Sequence, residues 1–393
     1  MSEKARSRVN QKGFNTVRFG VNYTPSTGWF HHWLDFSIDD VKADFESIAG
    51  LGLDHVRVFP LWPVFQPNRG LVRPRAVEQL AQMLDAAHET GLDVQVDVLQ
   101  GHLSSFDFYP SWVQTWHRRN IFADPEVISG QRFYIRTLAE ALKDKPNFLG
   151  FTLGNEVNLL TESNPCTPEQ AGEWIDTLLA ECDTAAPGFP HVHSEYDAVW
   201  YESEHSFLPE HAANKGAMTT VHSWVFNGTA QRYGPLSPES VHHAEYLVEL
   251  AKAHAEDVRR PVWLQEVGAA QPEISAEQAP QFAEQTLANV LTCSNLWGVT
   301  WWCSHDVDRA LVDFPEREYE LGLLTTERKV KPLGEAIARI VRDVAKGDVT
   351  VAPAERTPIK LHGDRPAWGP GGAFFEEWMT LARDGVRASI ELG

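Results

Sequence analysis

The stretch Leu-Gly-Leu-Asp-His-Val-Arg-Val-Phe-Pro at residues 51–60 decides the fold. It follows a helical pattern over 38–51, in which Val41, Phe45 and Ile48 recur at helical spacing. Gly52 ends that pattern and an apolar run starts directly behind it, the usual turn from a helix into a buried strand. The arrangement returns as Thr-Gly-Leu-Asp at 90–93, after a second helical pattern over 74–90. Working outward, eight short apolar runs occur, over 17–22, 55–60, 93–99, 148–153, 190–194, 218–222, 261–265 and 296–302. Their starts lie 28 to 55 residues apart, and further helical patterns cover 128–142, 169–181, 238–254, 276–291 and 332–344. Strands alternating with helices at this spacing imply parallel βαβ units, and eight of them make a (β/α)8 TIM barrel, an α/β fold. A doubly wound open sheet would need a glycine-rich phosphate turn after its first strand, and Phe-Gly-Val-Asn-Tyr-Thr-Pro at 19–25 is not one. The sequence thus predicts a polar segment 1–16, a barrel over 17–347 and a short C-terminal extension over 348–393 packed on it. Within the extension, 349–351 and 358–361 suggest strands, 366–372 a loop and 374–386 a helix.

The 393 residues suit one such barrel with insertions, and 43% apolar with 11% aromatic residues can bury a sizeable core. The net charge of −20 argues against nucleic acid or an anionic membrane as partner. No apolar run approaches the roughly 18 residues of a spanning helix, and 1–16 carries no apolar signal-peptide segment. Cys166, Cys182, Cys293 and Cys303 form neither a disulfide framework nor a Cys-x-x-Cys pair. The expectation is a soluble cytoplasmic protein that calls for neither cofactor nor metal ion. Its oligomeric state stays open, since the extension either caps the barrel or completes a neighbour's site in a homo-oligomer. Fourteen tryptophans fit either a large aromatic core or flat platforms for sugar rings, and composition does not choose between them.

Reactive groups of such barrels sit at the C-terminal ends of strands. After the fourth run comes Gly154-Asn155-Glu156; at the end of the seventh comes Gln265-Glu266-Val267-Gly268. A carboxylate at the end of an apolar strand is costly without a purpose. The two glutamates are 110 residues apart, three βα units, so they face each other across the mouth. Paired carboxylates of this kind are what cleavage of a glycosidic bond requires. Arg57 in the second strand would keep a nearby carboxylate ionised. His102, His222-Ser223-Trp224 and Trp301-Trp302 fall at three further strand ends, with Trp301 or Trp302 as the floor of a sugar site. The long segments 101–125 and 196–217, which hold Trp112, Trp116 and Trp200, are candidates to wall in a pocket.

Arg57, His102, Asn155-Glu156, His222, Glu266 and Trp301-Trp302, in this order on eight strands, resemble glycoside hydrolase family five, the cellulase and mannanase family of the retaining clan A. The resemblance covers about residues 17–345. It implies Glu156 as acid/base, Glu266 as nucleophile, Asn155 on the sugar 2-hydroxyl and Arg57 as support for Glu266. Trp62, Trp112, His222 and Trp224 join them as expected substrate contacts. Two departures stand out. The family usually has Tyr where this chain has Trp224, so either the indole N–H replaces the phenol or Tyr233 reaches in. The usual Glu-Phe-Gly is Glu266-Val267-Gly268. The blocks 59–69 and 99–108 resemble an actinobacterial branch associated with β-mannosidase activity on short mannose-containing oligosaccharides. The expectation is therefore a retaining β-mannosidase taking an oligosaccharide substrate. A β-1,4-glucanase, β-glucosidase or transglycosylase would share every residue named. Two rivals of another kind are a non-catalytic sugar-binding barrel and a metal-dependent hydrolase using His191, His193, His102 and His222.

Overall fold

The computed structural model describes residues 17–116, 118–349 and 351–393; the predicted polar segment 1–16 lies outside them. Eight strands form one parallel sheet: β1 (Arg18–Asn22), β2 (His55–Val58), β3 (Asp93–Asp97), β4 (Phe148–Leu153), β5 (Val192–His193), β6 (Thr219–Ser223), β7 (Val262–Val267) and β8 (Leu296–Trp301). Each of the eight expected runs supplies one. Neighbours follow chain order, and β1 pairs with β8, so the sheet curls into a (β/α)8 barrel. The seam between β5 and β6 has no ladder. It is bridged instead by the Ala217 N–H on the His191 carbonyl and the Thr220 hydroxyl on the His193 carbonyl, both at 2.8 Å.

Helices α1 (Ile38–Gly50), α2 (Pro74–Glu89), α3 (Pro125–Leu142), α4 (Pro168–Ala185), α5 (Pro209–Asn214), α6 (His243–Ala253), α7 (Ala279–Val290) and α8 (Pro332–Lys346) surround the sheet. Local sequence sets their starts. Ser37 accepts from the Asp40 N–H at the head of α1, Asp124 caps α3 ahead of Pro125, and Thr167 with Gln170 forms a capping box on α4. The helix expected over 238–254 is interrupted at His242, which leaves one turn (Pro238–Val241) before α6.

The barrel interior is polar. At its base His55 Nε2 and Trp263 Nε1 both reach Thr300 Oγ1 at 2.7 Å. Gly20 makes room for that plug, since a side chain there would lie 2.4 Å from the His55 ring. One level up, Gln95 and Gln265 share Thr152 Oγ1. Buried polar groups must be paired, so this ladder dictates which side chains the strands turn inward. Eight of the fourteen tryptophans, including Trp62 and Trp301, are fully buried structural residues.

The C-terminal extension holds a parallel strand pair, β9 (Thr357–Lys360) and β10 (Ala388–Glu391), and helix α9 (Ala373–Arg383). Phe374, Phe375 and Trp378 of α9 pack on Tyr246 of α6, and Arg356 and Arg387 both pair with Glu245. The strand expected over 349–351 does not form at Val349 or Val351, and the loop expected over 366–372 contains one helical turn, Arg365–Trp368.

Candidate active site

β4 ends in a turn that only its own sequence can make. Gly154 has φ +77°, and a Cβ there would lie 2.2 Å from the Leu99 carbonyl oxygen. Glu156 follows with φ +47°, a left-handed conformation that costs a non-glycine residue on the order of 1–3 kcal/mol. Asn155 holds the turn in place. Its Nδ2 donates to the His102 carbonyl at 2.6 Å, its carbonyl accepts from the His102 N–H at 3.1 Å, and its Oδ1 accepts from Arg57 at 2.6 Å. The acid-bearing turn is thereby tied to both β2 and the loop after β3.

Across the barrel, β7 carries one extra residue relative to both neighbours. Val221 and His222 oppose Leu264 and Glu266, and Val299 and Trp301 oppose Leu264 and Val267. This bulge lets consecutive side chains, Gln265 and Glu266, both point inward. Arg57 is fully buried beneath them and donates to Glu266 Oε1 at 2.9 Å, Asp97 Oδ2 at 2.5 Å and Asn22 Oδ1 at 3.2 Å. Trp224 Nε1 donates to the other Glu266 oxygen at 3.2 Å. The indole therefore occupies the place left open by the missing phenol. Tyr233 is elsewhere, its hydroxyl donating to Glu376 of the extension.

His222 links the two glutamates. Its Nδ1 is 2.8 Å from Glu156 Oε1 and 3.3 Å from Glu266 Oε2. Gln265 donates its Nε2 to Thr152, so its Oε1 faces His222 Nε2 at 3.2 Å. The ring proton accordingly sits on Nε2, and Nδ1 offers a lone pair to a protonated Glu156. Burial lowers the His222 pKa and keeps the ring neutral. Burial also pushes both carboxyls up to about 7. The direct Arg57 bond favours the ionised form of Glu266, and among the described residues no such cation is bonded to Glu156, so the shared proton belongs on Glu156. The nearest oxygens of the pair and His222 Nδ1 all lie within 4.8 Å of one another.

These groups line a pocket of about 350 Å³ at the barrel mouth. Of the expected contacts, His102, Asn155, Glu156, Trp224, Glu266 and Trp302 face it. Arg57 and His222 lie buried beneath it and act through the carboxylates. Three expectations are corrected. Trp301 is fully buried and turned to the helices, because it alternates with the inward Thr300 and Trp302. Trp62 is packed away, with its Nε1 on Gln66 and its ring edge-on to Trp112. Trp112 lines a different depression, with Asn68, Arg119 and Phe133. Likewise, Trp116 is 87% exposed and Trp200 is buried, and neither faces the pocket. The pocket takes Ser104, Ser105 and Tyr196 from the two long segments. It also takes Phe226, and Pro315, Arg317 and Glu318 from the segment after β8.

The metal-dependent rival loses its geometry. His191 faces outward, accepting from the Phe151 N–H and bonding the Ala186 carbonyl, and His193 pairs with Glu195. Glu156, His222 and Glu266 do gather ligand atoms, but a cation among them would meet the Arg57 guanidinium already bonded to Glu266.

No family model and no curated protein matches the chain. Solved structures do. A GH5_18 from Streptomyces cattleya in complex with GlcNAc is 59% identical, with 96% of this chain and 94% of that one covered, at a TM-score of 0.94. A variant of the Streptomyces cattleya GH5_18 in complex with Manβ1-4GlcNAc is 60% identical over the same shares, at a TM-score of 0.93. A GH5_18 variant from Bifidobacterium longum subsp. longum, also with Manβ1-4GlcNAc, is 42% identical over 96% and 91%, at 0.92. Identity of this order over nearly the whole chain, on the same fold, assigns the family: the protein is a glycoside hydrolase of family 5, subfamily GH5_18.

Proposed function

We propose that this protein is a retaining exo-β-mannosidase that removes the terminal mannose from short β-1,4-linked oligosaccharides, with Manβ1-4GlcNAc as the preferred substrate. One observation carries the reading: Glu156 and Glu266 present oxygens within 4.8 Å of each other in a small pocket. Oxygens this close favour the short carboxyl spacing of retaining glycosidases, roughly 5–5.5 Å, over the roughly 6.5–9.5 Å that inverting ones need for a water. The pocket lies at the small end of ligand sites, roughly 300–1,000 Å³, and supports a terminal sugar rather than a polymer. The sugar bound to the Streptomyces and Bifidobacterium relatives supports the identity of the substrate.

In the first step ionised Glu266 attacks the anomeric carbon while Glu156 delivers its proton to the departing oxygen. Arg57 and Trp224 keep the nucleophile ionised and aimed. In the second step Glu156 takes a proton from water as that water displaces Glu266, and the β configuration is restored. His222 Nδ1 accepts from the protonated Glu156 carboxyl and so positions it for the first step.

The test is hydrolysis of Manβ1-4GlcNAc and of p-nitrophenyl β-mannoside, β-glucoside, β-galactoside and β-xyloside, with the first-formed anomer followed by NMR. The β-mannosides should lead in kcat/KM and release β-mannose first. Preference for the β-glucoside, or release of the α anomer, would overturn the reading. The pH profile should be bell-shaped. Activity falls above about 7 as Glu156 loses its proton, and falls on the acid side as Glu266 gains one. Stability has its own sign. The Glu156 carboxyl is raised from 4.5 to about 7, so the fold prefers it protonated, and stability declines as pH rises through that window. Glu156→Gln should flatten that decline in urea titrations at pH 5 and 8; an unchanged slope would count against the assignment.

A further inference from the structure

The pocket holds a third carboxylate that the two chemical steps do not use. Glu318 lies on the segment between β8 and α8, is half-buried and faces the same cavity as Glu156 and Glu266. Ser104, from the loop after β3, lines the cavity with it. Arg57 neutralises Glu266 and Asp97, whereas Glu318 forms no ion pair among the described residues. Burial and the neighbouring Glu156 push its carboxyl up to about 7. A carboxylate that faces the cavity without a bonded counter-charge keeps acceptor capacity that a ligand's hydroxyls can use.

The segment presenting it is fixed before any ligand arrives. Arg309 pairs with Glu316 at 2.7 Å and Glu320 at 2.9 Å and lies 4.8 Å over the Tyr319 ring. The Tyr319 hydroxyl donates to the Leu311 carbonyl at 2.8 Å. Phe314 sits edge-on against Trp29 and Phe106, and Arg317 lies 4.5 Å over Phe226. The segment therefore braces on both the β3 and β6 sides of the mouth, and the acceptor is held in a defined place.

We propose that Glu318 is a substrate-binding residue that accepts hydrogen bonds from ring hydroxyls of the bound sugar and makes the pocket selective for neutral over acidic sugars. The proposal rests on the β-mannosidase reading and adds a recognition group to it. A hydroxyl given up to a charged acceptor is worth about tenfold or more in binding.

The test compares wild type with Glu318→Gln and Glu318→Ala on p-nitrophenyl β-mannoside and its 3-, 4- and 6-deoxy analogues. Both variants should raise KM about tenfold or more on the parent glycoside and leave kcat nearly unchanged. One deoxy analogue should lose about tenfold in kcat/KM with wild type and nothing further with Glu318→Ala, because the contact is already gone. Unchanged KM, or deoxy losses that add to the alanine loss for all three analogues, would overturn the proposal. Should Glu318→Ala fail to fold, the near-isosteric Glu318→Gln carries the comparison. If wild type cleaves the β-glucoside instead, the β-mannosidase reading falls, and the same comparison on deoxy glucosides still decides the role of Glu318.

Discussion

Glu266→Ala should lower kcat by at least on the order of 10⁴-fold while the protein still unfolds cooperatively. Folding survives because Arg57 keeps Asp97 and Asn155 as partners when Glu266 is removed. Added azide should restore part of the rate by entering the vacated face. Having displaced the leaving group once, it should yield the α-glycosyl azide. Glu156→Ala should behave differently. Nitrophenolate departs with little help from an acid, so the loss on an activated glycoside should be far smaller than on Manβ1-4GlcNAc, where general acid help is worth about 10²–10⁴-fold. Azide should then yield the β product, because Glu266 still forms the intermediate. The alkaline limb of the pH profile should also vanish in this variant. Exchanged outcomes between the two variants would invert the assignment of acid and nucleophile. Normal turnover by Glu266→Ala would remove it altogether.

Arg57→Met should be the most damaging change to stability. Arg57 has no exposed surface and serves four acceptors, two of them carboxylates. Burial alone pushes Asp97 up to about 6 against the pull of Arg57. Without the guanidinium, Asp97 and Glu266 face each other across a dry interior, and breaking a buried pair in this way costs about 3–5 kcal/mol. Urea unfolding at pH 7 measures it, and a loss below about 1 kcal/mol would show that Arg57 is not the hub described. Asp97→Asn is the companion variant. It keeps a hydrogen-bond acceptor for Arg57 and should cost less. In Arg57→Met the acid limb of kcat/KM should move to higher pH, since Glu266 gains a proton more readily once its cation is gone.

Much of this was legible in the residues. All eight strands announce themselves because a parallel barrel strand is buried on both faces and reads as a short apolar run, in β2 and β3 directly behind a glycine-ended helix. Glu156 and Glu266 stand out as charges placed where apolar runs end. Asp97 carries the same mark inside its own run, and Tyr196 stands three positions past the end of the fifth strand, close to where reactive groups gather. Alternation separates Trp302 from Trp301 once Thr300 is seen to face inward. Trp62 and Trp112 carry no such mark: an indole in a loop packs inward or lines a pocket depending on contacts made far along the chain. Pro315, Arg317 and Glu318 come from deep within a connecting segment, and no periodicity points to them. Val349 and Val351 show the converse: both are β-branched and neither lies in a strand.

The bulge in β7 bears on any attempt to rebuild this site in another scaffold. On a regular strand with Leu264 facing the helices, Gln265 would face the axis and Glu266 would turn away with the helices again. Copying the residue types would therefore transplant a nucleophile that aims at the outer shell. A working graft has to carry the additional backbone unit too, which makes chain length at this point as much a design variable as side-chain identity.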